Sequence, residues 1–226
     1  MGVRFIKVCH SFGMSRSAIE KITEGIDGSV REVIIAVYDV FTNVYVGLRG
    51  LVRSFYDDLS MGAMEDVDEY YNEAASIASS ADGDYLNRFS EEIAQNPTLL
   101  RILPGSMLAR PRDALNKLAS ALASALFMAA CELEGPRRSA LILLGYSYIG
   151  FAGGITRDAM IFMLAAIALA RSREDVAAEL LKKIGFSIDG IIEFACGAVA
   201  IARMIEAANS YGRYTRRILD ALDGVF

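Results

Sequence analysis

Tryptophan is absent from this 226-residue chain, and it has one histidine, three cysteines and four prolines. With His10 as the sole imidazole there is no histidine-based zinc site and no pair of Glu-x-x-His motifs. A Ser-His or Cys-His catalyst would have to use His10. Its neighbour Cys9 is a poor partner, because adjacent residues in an extended segment point to opposite faces. Cys9, Cys131 and Cys196 are too far apart in sequence for a disulfide framework or a metal knuckle, which predicts buried thiols in a reducing, cytoplasmic setting. Gln95 is the only glutamine. Few thermolabile amides fit a thermophilic source, while the preference for arginine over lysine fits genome composition equally well. The segment from Gly150 to Gly154 lacks both the Walker lysine and the dinucleotide spacing, so no phosphate-cradling loop is present. Positive charge is also short: the net charge of −5 argues against a general nucleic-acid binder. Residues Gly2 to Val8 lack an apolar run of signal-peptide length.

Apolar surface is abundant instead. The hydrophobic fraction of 54% and mean hydropathy of +0.33 imply helices buried on several sides, an oligomer interface or membrane contact. From Ser139 to Thr156 there are 18 residues without a charge. At 1.5 Å per residue they cover roughly 27 Å, just short of a bilayer core. Four glycines dilute their hydrophobicity, and Arg137, Arg138 and Arg157 flank both ends without asymmetry. The uncharged runs 118–131 and 159–170 are shorter still. Buried helices are therefore favoured over membrane spans, with Gly150 and Gly154 as a small-xxx-small pair for close helix packing.

Three of the four prolines, Pro97, Pro104 and Pro111, fall together and predict a connection over 96–111. It would join an acidic N-terminal helical region (1–95) to an Ala-rich C-terminal bundle (112–226). Residues 3–12 read as a short strand or an arm. The spacing of Ser17 with Glu20, and of Ser29 with Glu32, predicts helix-opening capping boxes. A stripe of 3.6-residue period from Val30 to Phe55 predicts one helix, with a β-hairpin through Thr42–Asn43 as the alternative. Further helices are expected at 63–80, 84–95, 112–133, 137–152, 158–171, 173–184 and 188–222. The fold class is all-α, a multi-helix bundle. Arg112-Asp113-Ala114-Leu115 resembles Arg157-Asp158-Ala159-Met160 at an offset of 45 residues, and Arg137–Arg138 then falls on Lys182–Lys183. This leaves open a short helical-hairpin repeat in the C-terminal half, against chance similarity among Ala-rich helices.

The strongest polar feature is an acidic belt, in which eleven carboxylates between Asp57 and Glu92 face one cation, Arg88. Glu65, Glu69 and Glu73 stack at i, i+4 on one helix face. A solvated face that meets a cationic partner is the leading reading. Asp57, Asp58, Glu65, Asp66 and Glu69 offer an alternative, a Mg²⁺ site for phosphate or diphosphate chemistry, if carboxylates from two helices converge. Arg101, Arg110 and Arg112 follow the belt. Arg213, Tyr214, Arg216 and Arg217 form a basic C-terminal patch suited to helix-end electrostatics, or to stacking and phosphate contacts in a nucleoprotein complex. Together these features point to a non-catalytic interaction or assembly subunit with no cofactor. It would self-associate through the small-residue helices at 118–131, 139–154 and 159–170, or bind a protein partner. A Mg²⁺-dependent helical enzyme and a nucleoprotein subunit are the alternatives.

Overall fold

The computed structural model describes residues 16–62, 64, 66–81, 85–103 and 109–200. Within them the chain is a multi-helix bundle, with no strand among the described residues. A helical stretch at 16–22 leads into α1 (Gly28–Val44), α2 (Leu48–Met61), α3 (Val67–Ser80), α4 (Tyr85–Gln95) and α5 (Pro97–Ile102). The second half carries α6 (Pro111–Cys131), α7 (Gly135–Gly153), α8 (Thr156–Ala170) and α9 (Glu174–Lys183). The last helix among the described residues occupies 188–200, and the rest of the helix expected over 188–222 lies outside them. The expected strand or arm at 3–12, together with Cys9, His10 and Pro104, lies outside the described residues.

Local chemistry sets the helix starts. Pro97, Pro111 and Pro136 occupy the first turns of α5, α6 and α7, where a missing N–H costs nothing. The capping box expected at Ser29 is displaced upstream. Asp27 is the N-cap of α1, its carboxylate accepting from the backbone N–H groups of Ser29 (2.9 Å) and Val30 (3.4 Å), while the Ser29 hydroxyl bonds to the same oxygen. An ionised carboxylate is a stronger acceptor for these donors than a hydroxyl. Glu20 is engaged by Arg16 at 3.2 Å.

The single helix expected over 30–55 is corrected to two, α1 and α2, meeting at 114°. The corner is Tyr45–Gly47. Tyr45 turns extended (φ −95°, ψ 95°), and Gly47 adopts φ +101°. A Cβ at Gly47 would stand 3.0 Å from Ile77 Cγ1 of α3, so both conformation and space select glycine there. Arg49 closes the outside of the corner, donating to Thr42 Oγ1 (3.1 Å) and Asn43 Oδ1 (2.8 Å). The apolar period survives the bend because both helices turn their stripes to one core.

α8 is the centre of that core. Every residue from Ala159 to Leu169 is buried, and α7 is buried over most of its circumference from Ser139 to Ala152. Helices that are apolar all round belong in the interior, and these two line each other. They cross where Gly150 meets Ala159: a Cβ on Gly150 would lie 2.9 Å from Ala159 Cβ. On the opposite side α7 packs on α6, where Gly145 accommodates the ring of Phe127. Buried residues from both sides of the 96–111 segment, among them Phe89, Leu115 and Phe151, belong to one contiguous cluster together with Leu99 from within the segment.

α6 is the one described helix long and apolar enough to cross a membrane by itself. Its buried side is Leu115, Leu118, Leu122 and Leu126. The two similar tetrapeptides both open helices, α6 and α8. Beyond them the 45-residue register diverges: Arg137 and Arg138 lie in the first turn of α7, whereas Lys182 and Lys183 close α9.

A tyrosine ties the two halves together. The hydroxyl of the fully buried Tyr148 on α7 donates to the Ile34 carbonyl of α1 at 3.0 Å. Burial drives its ionisation well above the ordinary phenol range, so the donor is permanent. Tyr148→Phe should lower unfolding free energy by about 1 kcal/mol in urea titration. An unchanged midpoint would mean that this bond adds nothing to the joint.

Candidate functional site

Asp57 lies 3.6 Å from Arg53 on its own helix. Asp58 accepts a hydrogen bond from Tyr70 of α3. Asp66 is the N-cap of α3, accepting from the Asp68 N–H, and Asp68 pairs with Lys183 of α9. Glu69 and Glu73 are exposed on α3, and Glu65 lies outside the described residues. Among the described residues no three acidic, histidine or cysteine side chains converge as metal ligands.

Cations reach this face from within the chain. Besides Lys183, Arg157 lies over the Tyr71 ring (5.4 Å to the centroid) and Arg171 over Tyr56 (4.4 Å). Arg101 lies instead 3.9 Å from Glu32 of α1. Arg110 and Arg112 are exposed at the start of α6. Arg213, Tyr214, Arg216 and Arg217 lie outside the described residues.

Gly150 and Gly154 have separate duties. Gly150 is the α7–α8 contact, and Gly154 caps α7 in the left-handed conformation at φ +79°. The cap repeats at the end of α9, where Gly185 has φ +80°. In both, the residue after the glycine bonds back to the last turn: Ile155 N–H to the Gly150 carbonyl (3.0 Å) and Phe186 N–H to the Leu181 carbonyl (3.0 Å). This is the Schellman pattern, which usually brings the following apolar residue back onto its helix. Here it leaves Ile155 and Phe186 on the rim of one pocket.

That pocket, of about 520 Å³, opens between α7, α8 and the helix starting at 188. Its walls are Tyr146, Ile149 and Gly150 of α7, Phe162 of α8, and Ile191 and Phe194 of the last helix. The Tyr146 ring organises them, with centroids 5.7 Å from Phe162 and 6.3 Å from Phe194; Phe162 meets Phe186 edge-on at 5.3 Å. Ser187 opens the last helix, its hydroxyl accepting from the Gly190 N–H at 3.2 Å. Four large apolar residues on this rim are exposed: Phe194 (71%), Ile155 (54%), Phe186 (47%) and Ile149 (40%). Scattered apolar residues on a surface are ordinary, but four around one aromatic cavity are not.

The polar groups nearby are few. The Tyr146 hydroxyl is buried and has no hydrogen-bond partner among the described residues. Burial, reinforced by Cys196, pushes its pKa up to about 12, so it stays a donor. Cys196 in turn lies 2.8 Å from Arg138 Nη2, and Arg138 Nε is likewise buried without a partner among the described residues. Cys131 and Cys196 are only partly buried, which corrects the expectation of buried thiols. Both face Arg138, a charged group that a sealed apolar interior would exclude.

Sequence reasoning missed this pocket. Its signals were present as the pairs Gly154–Ile155 and Gly185–Phe186, and as a last helix with apolar residues on too many sides. Neither signal says that the two glycine-capped ends lie beside each other. No protein-family model matches this chain, and no curated protein or solved structure does either.

Proposed function

We propose that this chain is a non-catalytic binding module that engages an apolar partner at the pocket between α7, α8 and the last helix. One observation carries the reading: Ile149, Ile155, Phe186 and Phe194 stand exposed around an aromatic-lined cavity of about 520 Å³. That volume falls within the usual range of ligand pockets, about 300–1,000 Å³, and apolar walls with few polar groups are their usual composition. Of the stretches 118–131, 139–154 and 159–170 expected to self-associate, the last two turn most of their apolar residues inward, which leaves α6 with its exposed Met128 as the surface for such contact. Four of the nine exposed large apolar residues among the described residues stand together on this rim.

Phe194→Asp tests this directly. An environment-sensitive apolar dye should bind the unmodified protein at one saturable site, and the variant should bind it about tenfold more weakly or worse. Phe194 is mostly exposed, so the thermal midpoint should stay within about 2 °C. Equal dye affinity in the two proteins would remove the pocket as the binding surface.

A further inference from the structure

Resting on the pocket reading above, we infer that the ligand is an uncharged aromatic lipophile of about three rings. Its rings would continue the row of phenylalanine and tyrosine rings that lines the cavity.

The walls exclude charge. Among the described residues the pocket is lined by aromatic rings, isoleucines, glycines and one serine, with no carboxylate, ammonium or guanidinium group. A charged group taken from water into such a site finds no counter-ion, and its desolvation outweighs the apolar contacts it would make. Asp189 and Glu193 are exposed on the last helix but do not line the cavity. Polar atoms are scarce as well. The Tyr146 hydroxyl is buried away from solvent, so the cavity meets the ring of that residue. The Ser187 hydroxyl already accepts from the Gly190 N–H. A sugar or nucleotide entering here would lose its bonds to water with few replacements. The rings themselves favour a ring over a chain. Phe194, Tyr146, Phe162 and Phe186 form a continuous row, with successive centroids 6.3, 5.7 and 5.3 Å apart. At such separations aromatic rings attract one another beyond simple area burial, so an aromatic ligand extends a pattern already present. Phe194 and Phe186 stand exposed at the mouth, with ring surface open to a further partner. Volume sets the size. An apolar cavity of about 150 Å³ holds one benzene, so the pocket of about 520 Å³ has room for about three rings. Aromatic cages also bind quaternary ammonium ions, but here three isoleucines interrupt the rings and no carboxylate lines the walls among the described residues.

The test uses the full chain with phenylnaphthylamine, an uncharged fluorophore of three rings, beside anilinonaphthalene sulfonate, the same skeleton with a negative charge. The neutral dye should bind at one site about tenfold more tightly than the sulfonate. In competition, phenylnaphthalene should displace it about fivefold more effectively than decanol, and naphthylmethyl-trimethylammonium least of all. Phe194→Leu and Phe186→Leu each keep an apolar rim but remove a ring. In both, the neutral dye should bind about threefold more weakly while decanol is unaffected. Both residues are well exposed, so thermal midpoints should stay within about 2 °C. Equal binding of dye and sulfonate, or displacement by the ammonium as readily as by phenylnaphthalene, would overturn the exclusion of charge and leave the pocket in place. Decanol matching phenylnaphthalene, with both leucine variants unchanged, would overturn the preference for rings, again with the pocket intact. If neither dye binds and light scattering finds a dimer that Phe194→Asp dissociates, a second copy is the occupant and the lipophile is ruled out. If neither dye binds and the chain is a monomer, the pocket reading falls as well.

Discussion

Phe41→Ala should be among the most damaging single truncations in this protein, lowering unfolding free energy by about 3–5 kcal/mol. Phe41 is fully buried on α1, stacks on Phe89 of α4 (6.1 Å) and on Tyr148 (5.8 Å) and Phe151 (4.6 Å) of α7, and meets Tyr45 in a tilted pair (6.4 Å). It therefore joins three helices from both sides of the proline-containing segment. Truncation removes its transfer free energy and leaves a cavity that these rings, fixed on different helices, cannot collapse to fill. Aromatic pairs add about 0.5–1.5 kcal/mol beyond burial, so the upper end of the range is expected. For a chain of this length the thermal midpoint should fall by roughly 10 °C or more. A loss under 1 kcal/mol would mean that α1, α4 and α7 do not meet at this residue. Phe41→Ala and Phe151→Ala should also combine less than additively, because their rings are in direct contact.

Gly150→Ala should destabilise by about 1–3 kcal/mol, although alanine is the better helix former by about 1 kcal/mol. The new Cβ would stand 2.9 Å from Ala159 Cβ and 3.2 Å from Ala159 Cα, and the second of these is backbone. Nothing there can rotate away, so α7 and α8 must separate along faces that are packed throughout. Gly50→Ala is the control. Gly50 is exposed within α2 with nothing within 4 Å of the added carbon, and its replacement should stabilise by about 0.5–1 kcal/mol. Opposite signs from the same chemical change isolate the tertiary contact from helix propensity. Two stabilising results would refute the close crossing. Gly150 also lines the pocket, so the damaged variant should lose dye binding along with stability.

Much of the architecture was legible beforehand, for physical reasons that differ between elements. α3, α4, α6, α7, α8 and α9 fall within a few residues of the ranges read from apolar period and from proline and glycine punctuation. Those signals are local: a first-turn proline or a capping glycine acts on its own helix whatever surrounds it. The bend at Gly47 was hidden because α1 and α2 face one core, which preserves the 3.6-residue stripe across the corner. Glycine at position 47 looked like any helix-interior glycine until its positive φ and the nearby Ile77 gave it a reason. Charge misdirected attention in a similar way. The acidic belt dominates the sequence, yet Asp58, Asp66 and Asp68 are engaged by a tyrosine, a helix N-terminus and a lysine of the same chain.

The sequence by itself determined an all-helical chain, the extent of most of its helices, and an apolar surplus that had to be buried somewhere. Periodicity and capping are properties of neighbours along the chain, so they can be read without coordinates. Only the tertiary structure decided that α7 and α8 spend that surplus on each other. It also decided that Ile155 and Phe186, thirty-one residues apart in the numbering, share one rim with Tyr146 and Phe194. Which helix ends stand together is set by packing between distant segments, and no spacing within either segment encodes it.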